Sequence, residues 1–459
     1  MNFNKKNIVL TLSLLTGLGA SSTALAKVTA EEAAQLGKNL TCVGAERAGN
    51  AAGTIPAYTG EFVDRVPGWN HTLYSGDQPV DPFKDEAPVL VLTSANYKAH
   101  AEHLTEGQKV LFEKNPGTYK MNIYAGKRIF GVPQYICDRA QSNALNAELQ
   151  NNGMGIKGLG QVPFPIPKDG TELLWNHLLT AGPWTQDITR SNASVLPNGG
   201  IGWGKTRLRG LSPGNNPNVP PVTEGVRAFS WNFTMQPQRE SGVSTVSQDF
   251  YDWSTDGRLA WSYNPGTRRV RQLPGFGFDQ PMIGTNGTMI VDDDRLFNGS
   301  PERYEWSNLG KKEIYIPVNA FRVNSGQLKY SDFLTPVHHN PEYLRFELRR
   351  VWVLEGKLKE GYRHIYSKRV IYLDEDTWAG TLADNYDARG TIWKHAMSNY
   401  YHHPDAQLAI SGVQLFYDLA SKQYTAYGLT NEERKGPIMN NLKLTADMYT
   451  PDALRASGR

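Results

Sequence analysis

Three stretches of this 459-residue chain carry the spacing of nucleotide-binding or catalytic signatures. Gly199 to Thr206, GGIGWGKT, fits the phosphate-cradling P-loop. That cradle needs a helix beginning at the lysine, and Arg207 to Asn216 instead holds Gly210, Pro213 and Gly214. A glycine-rich hairpin or loop is the reading that remains. Gly153-x-Gly155-x-x-Gly158 spells a dinucleotide fingerprint, but a helical pattern precedes it and Pro163-Phe164-Pro165 follows, where a strand and then a helix are required. It reads as a connector. Gly210-Leu211-Ser212-Pro213-Gly214 mimics a hydrolase nucleophile elbow. The residue after the serine should donate its N–H to an oxyanion, and Pro213 has none.

Metal chemistry fares no better. His100 and His103 share a helical face without a third or fourth ligand nearby. The pairs His338-His339 and His402-His403 point to opposite sides if they lie in strands. Asp292-Asp293-Asp294 lacks the alternation of a calcium loop and reads as an acidic turn. The expectation is therefore no catalytic residues, no metal and no cofactor. The basic run Arg268, Arg269 and Arg271 could dock an acidic partner or lipid headgroups, or form a solvated strand face.

The elements that would position these residues change character along the chain. Helical signals come first: Thr29 caps Glu31 to Leu36, and Ser94 caps Tyr97 to Leu104. Thr105 with Gln108 forms a capping box before Lys109 to Lys114, and helices follow over Asp138 to Leu149 and Thr171 to Leu179. From about Ser191 the period becomes two. Phe229, Trp231, Phe233 and Met235 alternate with smaller or polar residues, as do Leu259, Trp261 and Tyr263. Asn264-Pro265-Gly266-Thr267 then turns the chain into a polar strand from Arg268 to Leu273. Phe346, Leu348, Trp352 and Leu354 read as one face of a further strand, and closely spaced turns link Arg369 to Leu373, Trp378 to Ala383 and Thr391 to Met397. The fold class is mainly β within α+β: a single domain over 27–459, helix-rich to about 190, built on one large antiparallel sheet.

Composition narrows the function classes. The 48 basic and 45 acidic residues nearly cancel, which argues against a nucleic-acid binder. The 44 Gly, 27 Pro and 49 aromatic residues (16 Phe, 11 Trp, 22 Tyr) suit strands and turns. Residues 1–26 read as a secretory signal, with Lys5 and Lys6, the apolar Ile8 to Leu18 and the cleavage site Ala24-Leu25-Ala26 before Lys27. Removing it leaves 46 basic against 45 acidic residues. No cysteine follows the cut to take a lipid, and no other apolar run is long enough to span a membrane. The expected location is the periplasm, not the membrane interior. In that oxidising compartment Cys42 and Cys137 either close a bridge or stay as two buried thiols.

Segments in a fixed order carry a family resemblance. Leu36-Gly37-Lys38-Asn39-Leu40-Thr41, Gly44 to Asn50 and Gly53 to Ala57 open it. Val162 to Pro167, Trp175 to Leu179, Arg268 to Arg271, Gly310 to Glu313, Arg349 to Val353 and Tyr372 to Trp378 continue it. Together they resemble a family of uncharacterised Gram-negative exported proteins often labelled outer-membrane lipoprotein-sorting proteins. The resemblance covers most of residues 30–450 and implies a fold related to LolA and LolB, an incompletely closed antiparallel barrel with helices covering its concave face. It supplies no catalytic residues. It also implies genomic neighbours: an exporter of the resistance-nodulation-division (RND) type and a second exported protein. Position 42 departs from the family's usual proline, which leaves Cys137 as its only intramolecular partner.

The resemblance thus implies a periplasmic carrier or binding protein for a lipid or other hydrophobic molecule, working with an envelope export system. Along its strands Phe229, Trp231, Phe233, Met235, Leu259, Trp261, Tyr263, Phe346, Leu348 and Trp352 either face that ligand or are simply core. The alternative is a non-catalytic adaptor docking an RND-type exporter or outer-membrane partner through an edge strand or through Arg268 to Arg271. A continuous apolar cavity would favour the carrier, and a filled core with an exposed apolar patch the adaptor.

Overall fold

The computed structural model describes residues 28–221 and 223–457, so the expected signal segment lies outside the described residues. Local capping chemistry sets the first helices. Thr29 starts α1 (Ala30–Ala33), and Thr105 with Gln108 starts α2 (Glu106–Lys114), each through a reciprocal capping box. Ser94 does not cap. Its hydroxyl donates to Pro116 O at 2.7 Å, and the stretch Tyr97–His103 is a 3-10 segment kinked at His100. α3 (Gln134–Asn146) begins four residues earlier than its polar pattern suggests, directly after Pro133. α4 (Gly170–Leu178) starts on Asp169, whose carboxylate accepts from Glu172 N at 2.9 Å.

Two short strands, β1 (Leu90–Leu92) and β2 (Met121–Tyr124), precede α3, and a hairpin of β3 (Glu148–Gln150) and β4 (Gly155–Lys157) follows it. The glycine motif expected to be a connector is therefore the turn of that hairpin, with Asn151, Asn152 and Gly153 all at positive φ.

The rest is one sheet made of two meanders. The first comprises β5 (Thr185–Val195), β6 (Ile201–Leu211), β7 (Val226–Gln236), β8 (Ser244–Phe250), β9 (Arg258–Asn264) and β10 (Arg269–Gln272). The second comprises β11 (Tyr304–Pro317), β12 (Phe346–Leu358), β13 (Lys368–Asp374), β14 (Gly380–Tyr386), β15 (Ile392–His403), β16 (Leu408–Asp418) and β17 (Gln423–Leu429). The short α5 (Phe321–Asn324) and α6 (Tyr330–Phe333) lie between β11 and β12. Antiparallel pairing of β17 with β5, Tyr424 opposite Val195, joins the meanders edge to edge. Farther along β5, the two-residue β18 (Ile438–Met439) pairs with Asp187 and Gln186, and α7 (Pro451–Ser457) follows. β2 adds parallel to the start of β12. Among the described residues no ladder joins β10 back to the opposite end, so the sheet is mostly antiparallel and open.

The second meander is covered on both sides. Successive residues go opposite ways: Leu382, Met397 and Leu415 enter one core cluster, while Ala383, Ala396 and Phe416 enter the other. α2 supplies Leu111 and Phe112 to the first, and α3 and α4 supply Ile136, Leu173, Leu174 and Trp175 to the second. The helices therefore divide between two faces instead of gathering on one. Contact is close enough that Gly107 is required: a Cβ there would lie 2.1 Å from Nδ1 of His395 and 2.4 Å from Oδ1 of Asp384.

Candidate functional site

Seven of the ten expected ligand-facing residues meet on one face of the first meander. Cross-strand register aligns Trp231, Val246 and Trp261 in one row. Phe229, Gln248 and Leu259 form a second row, and Phe233, Ser244 and Tyr263 a third. Phe229 and Tyr263 are buried, Trp231, Phe233, Leu259 and Trp261 are half-buried, and Met235 is 38 % exposed. Trp231 and Phe233 stack with ring centroids 5.7 Å apart. The opposite face is polar by the same alternation, with Ser230 and Ser247 hydrogen-bonded at 2.8 Å.

The other three do not belong to this face, nor to a common one. Phe346 and Leu348 are buried in the first core cluster, and Trp352 packs against the second, stacked 6.2 Å from Trp378. Apolar periodicity misleads here because both sides of β12 are covered and the intervening Arg349 and Arg350 are themselves buried.

A thin cover crosses part of the aromatic face. Leaving β18, the chain lays Leu444 and Tyr449 against Phe229, with the Tyr449 ring 5.4 Å from that of Phe229, and Gln248 Nε2 donates to Tyr449 O at 2.9 Å. α7 then places Leu454 against Val246 and Tyr263. Three apolar anchors hold a stretch whose seven-residue helix would be marginal alone.

Beside the aromatics, β6 sets Arg209 opposite Trp231 and Arg207 opposite Phe233, and β5 sets Asp187 opposite Arg209. The Arg209 guanidinium lies 5.6 Å over the Trp231 ring. Burial alone would raise the Asp187 carboxyl, but hydrogen bonds and charge from Arg207 and Arg209 outweigh it and hold it below the usual range. The Arg207-x-Arg209 alternation is visible in the sequence, directly after the P-loop-like stretch Gly199 to Thr206.

In the core, a narrow cleft is lined by Val43, Phe130, Val162, Trp378, Tyr400 and Leu408. It leaves about 20 Å³, room for roughly one water, where a small-molecule site takes hundreds.

Comparison with known proteins decides the family. Residues 91–455 match the family described as "Protein of unknown function (DUF1329)". An uncharacterised protein of Pseudomonas aeruginosa is 36 % identical over 459 residues, covering 98 % of this chain and 97 % of its own. The chain belongs to the DUF1329 family. Among solved structures, a DUF1329 family protein from Desulfovibrio piger is similar at 13 % identity and a TM-score of 0.40, covering 59 % of this chain and 91 % of that one. A LolA superfamily protein from Nitrosomonas europaea is similar at 13 % identity and a TM-score of 0.37, covering 62 % and 99 %.

Four of the segments that carry the family resemblance, 44–50, 310–313, 349–353 and 372–378, converge in space, whereas Arg268 to Arg271 lies apart, beside β9. Arg128 donates to both Asp376 oxygens at 3.0 and 2.7 Å, to Glu375 at 3.2 Å and to Glu46 O at 2.6 Å. Arg350 donates to Glu375 at 2.6 Å and Ala48 O at 2.5 Å, and Lys311 bridges Glu46 and Glu375 at 2.7 and 3.0 Å. Asn50 donates to Glu313 at 3.0 Å. These residues clamp the arm 44–50 onto the β13–β14 turn. Cys42 and Cys137 are disulfide-bonded, with Cα atoms 5.0 Å apart, and tie the same arm to α3.

Gly199 to Thr206 lies in the β5–β6 hairpin, with its lysine in a strand. Asp292-Asp293-Asp294 is not a solvated acidic turn: Asp292 and Asp293 are buried, and pair with Arg369 at 2.6 and 3.3 Å. His100 and His103 are half-buried on a kinked 3-10 stretch, and His103 Nδ1 lies 2.9 Å from Glu313 O. Among the described residues no group of three or more His, Cys, Asp or Glu is placed to hold a metal ion, and no helix is long and apolar enough to cross a membrane. Arg269 and Arg271 are exposed on the edge strand β10, while Val270 packs inward beside Leu454, and Arg268 sits in the turn at positive φ.

Proposed function

We propose that this protein is a non-catalytic periplasmic binding protein or carrier for a lipophilic molecule, and that it functions as one unit from residue 27. The ligand lies on the open aromatic face of β7 to β9, beside the cover formed by residues 444–457. One observation carries this reading: Trp231, Phe233, Leu259 and Trp261 stand half-buried in adjoining rows of a sheet whose other half is packed on both sides. Each methylene buried there contributes about 0.8 kcal/mol, so an acyl chain binds without further chemistry. The secretory signal read in residues 1–26 and the Cys42–Cys137 bridge support an oxidising compartment. Phe346, Leu348 and Trp352 have no part in the site. Handover to an RND-type exporter, with a second envelope protein, is the transport step we assign to it. Native mass spectrometry of protein purified from the periplasm, followed by solvent extraction, should find a co-purifying hydrophobic compound. Repeated absence of one, with no uptake of a fluorescent fatty acid, sinks the proposal.

A second reading has its own support. The tight cleft in the core and the unpaired edge of β10, with Arg269 and Arg271 exposed on it, suit an adaptor that docks a partner by strand addition. Substituting both arginines by glutamate abolishes partner capture under this reading and leaves lipid uptake unchanged under the first.

A further inference from the structure

At one end of the aromatic face, hydrogen-bond donors outnumber acceptors. Arg207 holds Asp187 in a two-pronged grip, Nε to Oδ1 at 2.8 Å and Nη2 to Oδ2 at 2.6 Å. Arg209 reaches the same carboxylate through Nε alone, at 3.1 Å, and its terminal N–H groups meet no acceptor among the described residues. Two guanidinium groups therefore share one carboxylate and keep one net positive charge. Lys205 adds nothing to that balance, since Glu433 neutralises it at 2.6 Å. Both arginine side chains are about two-fifths exposed, 41 % and 42 %, so a ligand can reach them.

A second donor lies on the same face, in the row next to Arg209 and Trp231. Tyr449 is 1 % exposed, and its buried hydroxyl has no hydrogen-bond partner. It belongs to the cover, packs on Phe229, and lies within electrostatic reach of Arg209 and Asp187. A buried hydroxyl left without a partner is unfavourable. An incoming acceptor would relieve that penalty and complete the Arg209 fork together.

We infer that Arg209 and the Tyr449 hydroxyl seat the monoanionic carboxylate head group of a single-chain amphiphile, whose tail runs over Trp231, Leu259 and Trp261. The inference rests on the proposed lipophilic-ligand role and names its ligand class. From β6 to β9 the face spans three strand spacings, about 14 Å, which an extended acyl chain of medium length covers starting from Arg209. Adsorption to an anionic bilayer needs a cluster of several basic residues, and one net charge beside a narrow apolar strip does not provide it.

The test compares cis-parinaric acid with its methyl ester by fluorescence titration of the intact, oxidised protein at pH 8. The acid should bind about tenfold more tightly than the ester, the ratio expected for one charge-assisted contact. Arg209→Gln should remove that preference by weakening the acid far more than the ester, Arg209→Lys should restore part of it, and Tyr449→Phe should weaken the acid more than the ester. Asp187→Asn, which frees both arginines, should strengthen the acid. Equal binding of acid and ester by the unaltered protein, or an Arg209→Gln loss shared equally by both, overturns the head-group assignment while leaving the lipophilic site standing. Failure of both probes to bind overturns the lipophilic site as well. Arg209-dependent adsorption to vesicles of anionic phospholipid, without uptake of the free acid, also overturns the assignment.

Discussion

Lowering the pH from 7.5 to 5 should destabilise the protein by several kcal/mol, because four histidines are buried in neutral form. Burial holds the imidazoles of His177 and His403 down to about 3 and that of His402 to about 4, and pushes His339 well below its ordinary value. Their hydrogen bonds agree with a single proton each. His177 donates from Nε2 to Phe297 O at 3.0 Å while Nδ1 accepts from Gly380 N at 3.2 Å. His402 donates from Nε2 to Val63 O at 2.7 Å, between the rings of Phe62 and Phe130, and His403 Nδ1 accepts from Asp405 N at 3.2 Å.

In the unfolded chain these groups take up a proton near pH 6.5, and in the native state they do not. Their native affinity for protons is depressed, so the stability they confer is full above pH 6.5 and declines as the pH falls toward about 3. At pH 5 His177, His402 and His403 each contribute a loss of about 2 kcal/mol, or about 6 kcal/mol for the three, and His339 acts in the same direction. Two carboxyls work the other way. Burial raises Glu172 to about 7 and Asp374 to about 6, and both regain stability as they protonate on the way down. The net loss is still a large part of the roughly 5–15 kcal/mol that holds a domain together. Urea unfolding followed by tryptophan fluorescence at pH 7.5, 6 and 5 measures it. His402→Gln, which keeps a donor for Val63 O, should flatten the pH dependence by about 2 kcal/mol over that range. A midpoint that is constant or rises toward pH 5 would refute this reasoning.

Three other outcomes follow from the packing. Reducing Cys42–Cys137, which closes a loop across 95 positions, should lower unfolding stability by about 4–5 kcal/mol through loop-closure entropy, measured in urea with and without reductant. Arg128→Met leaves the buried Asp376 and Glu375 short of their partner and should cost about 3–5 kcal/mol, with the arm 44–50 becoming protease-sensitive before global unfolding. Leu454→Ala removes an anchor of the cover. It should raise fluorescence of a bound hydrophobic dye while the unfolding midpoint moves little, because the cover touches only the strand-edge half of the sheet.

How much of this was readable beforehand depended on whether local rules acted alone. Thr105 with Gln108, and the Asn264 to Thr267 turn, declare themselves because a cap and a hairpin are settled within a few residues. The alternation of Phe229, Trp231 and Phe233 was legible because the reverse face of β7 is polar. β1 to β4, β8, β11 and β16 to β18 are not among the expected strands. In β16 and β17 both faces are covered, so Leu408–Asp418 and Gln423–Leu429 show no two-residue period. The same double burial merged Phe346 and Leu348 with Trp352 into one face that does not exist. Asp292 and Asp293 looked solvent-facing because their neutralising partner, Arg369, is 77 and 76 positions away. The cover was invisible for a related reason: nothing in Leu444, Tyr449 and Leu454 indicates that they return to strands some 200 residues earlier.

The proposed site places a lipophilic molecule on the half-buried aromatic rows of β7 and β9. Photolysis of the intact protein with a diazirine-bearing fatty acid, followed by peptide mass spectrometry, tests it most directly. Adducts should concentrate in the peptides holding Trp231 and Phe233, Leu259 and Trp261, and Tyr449 in the cover, and unlabelled fatty acid should compete them away. Adducts confined to residues 304–429, or none that competitor removes, would contradict the claim.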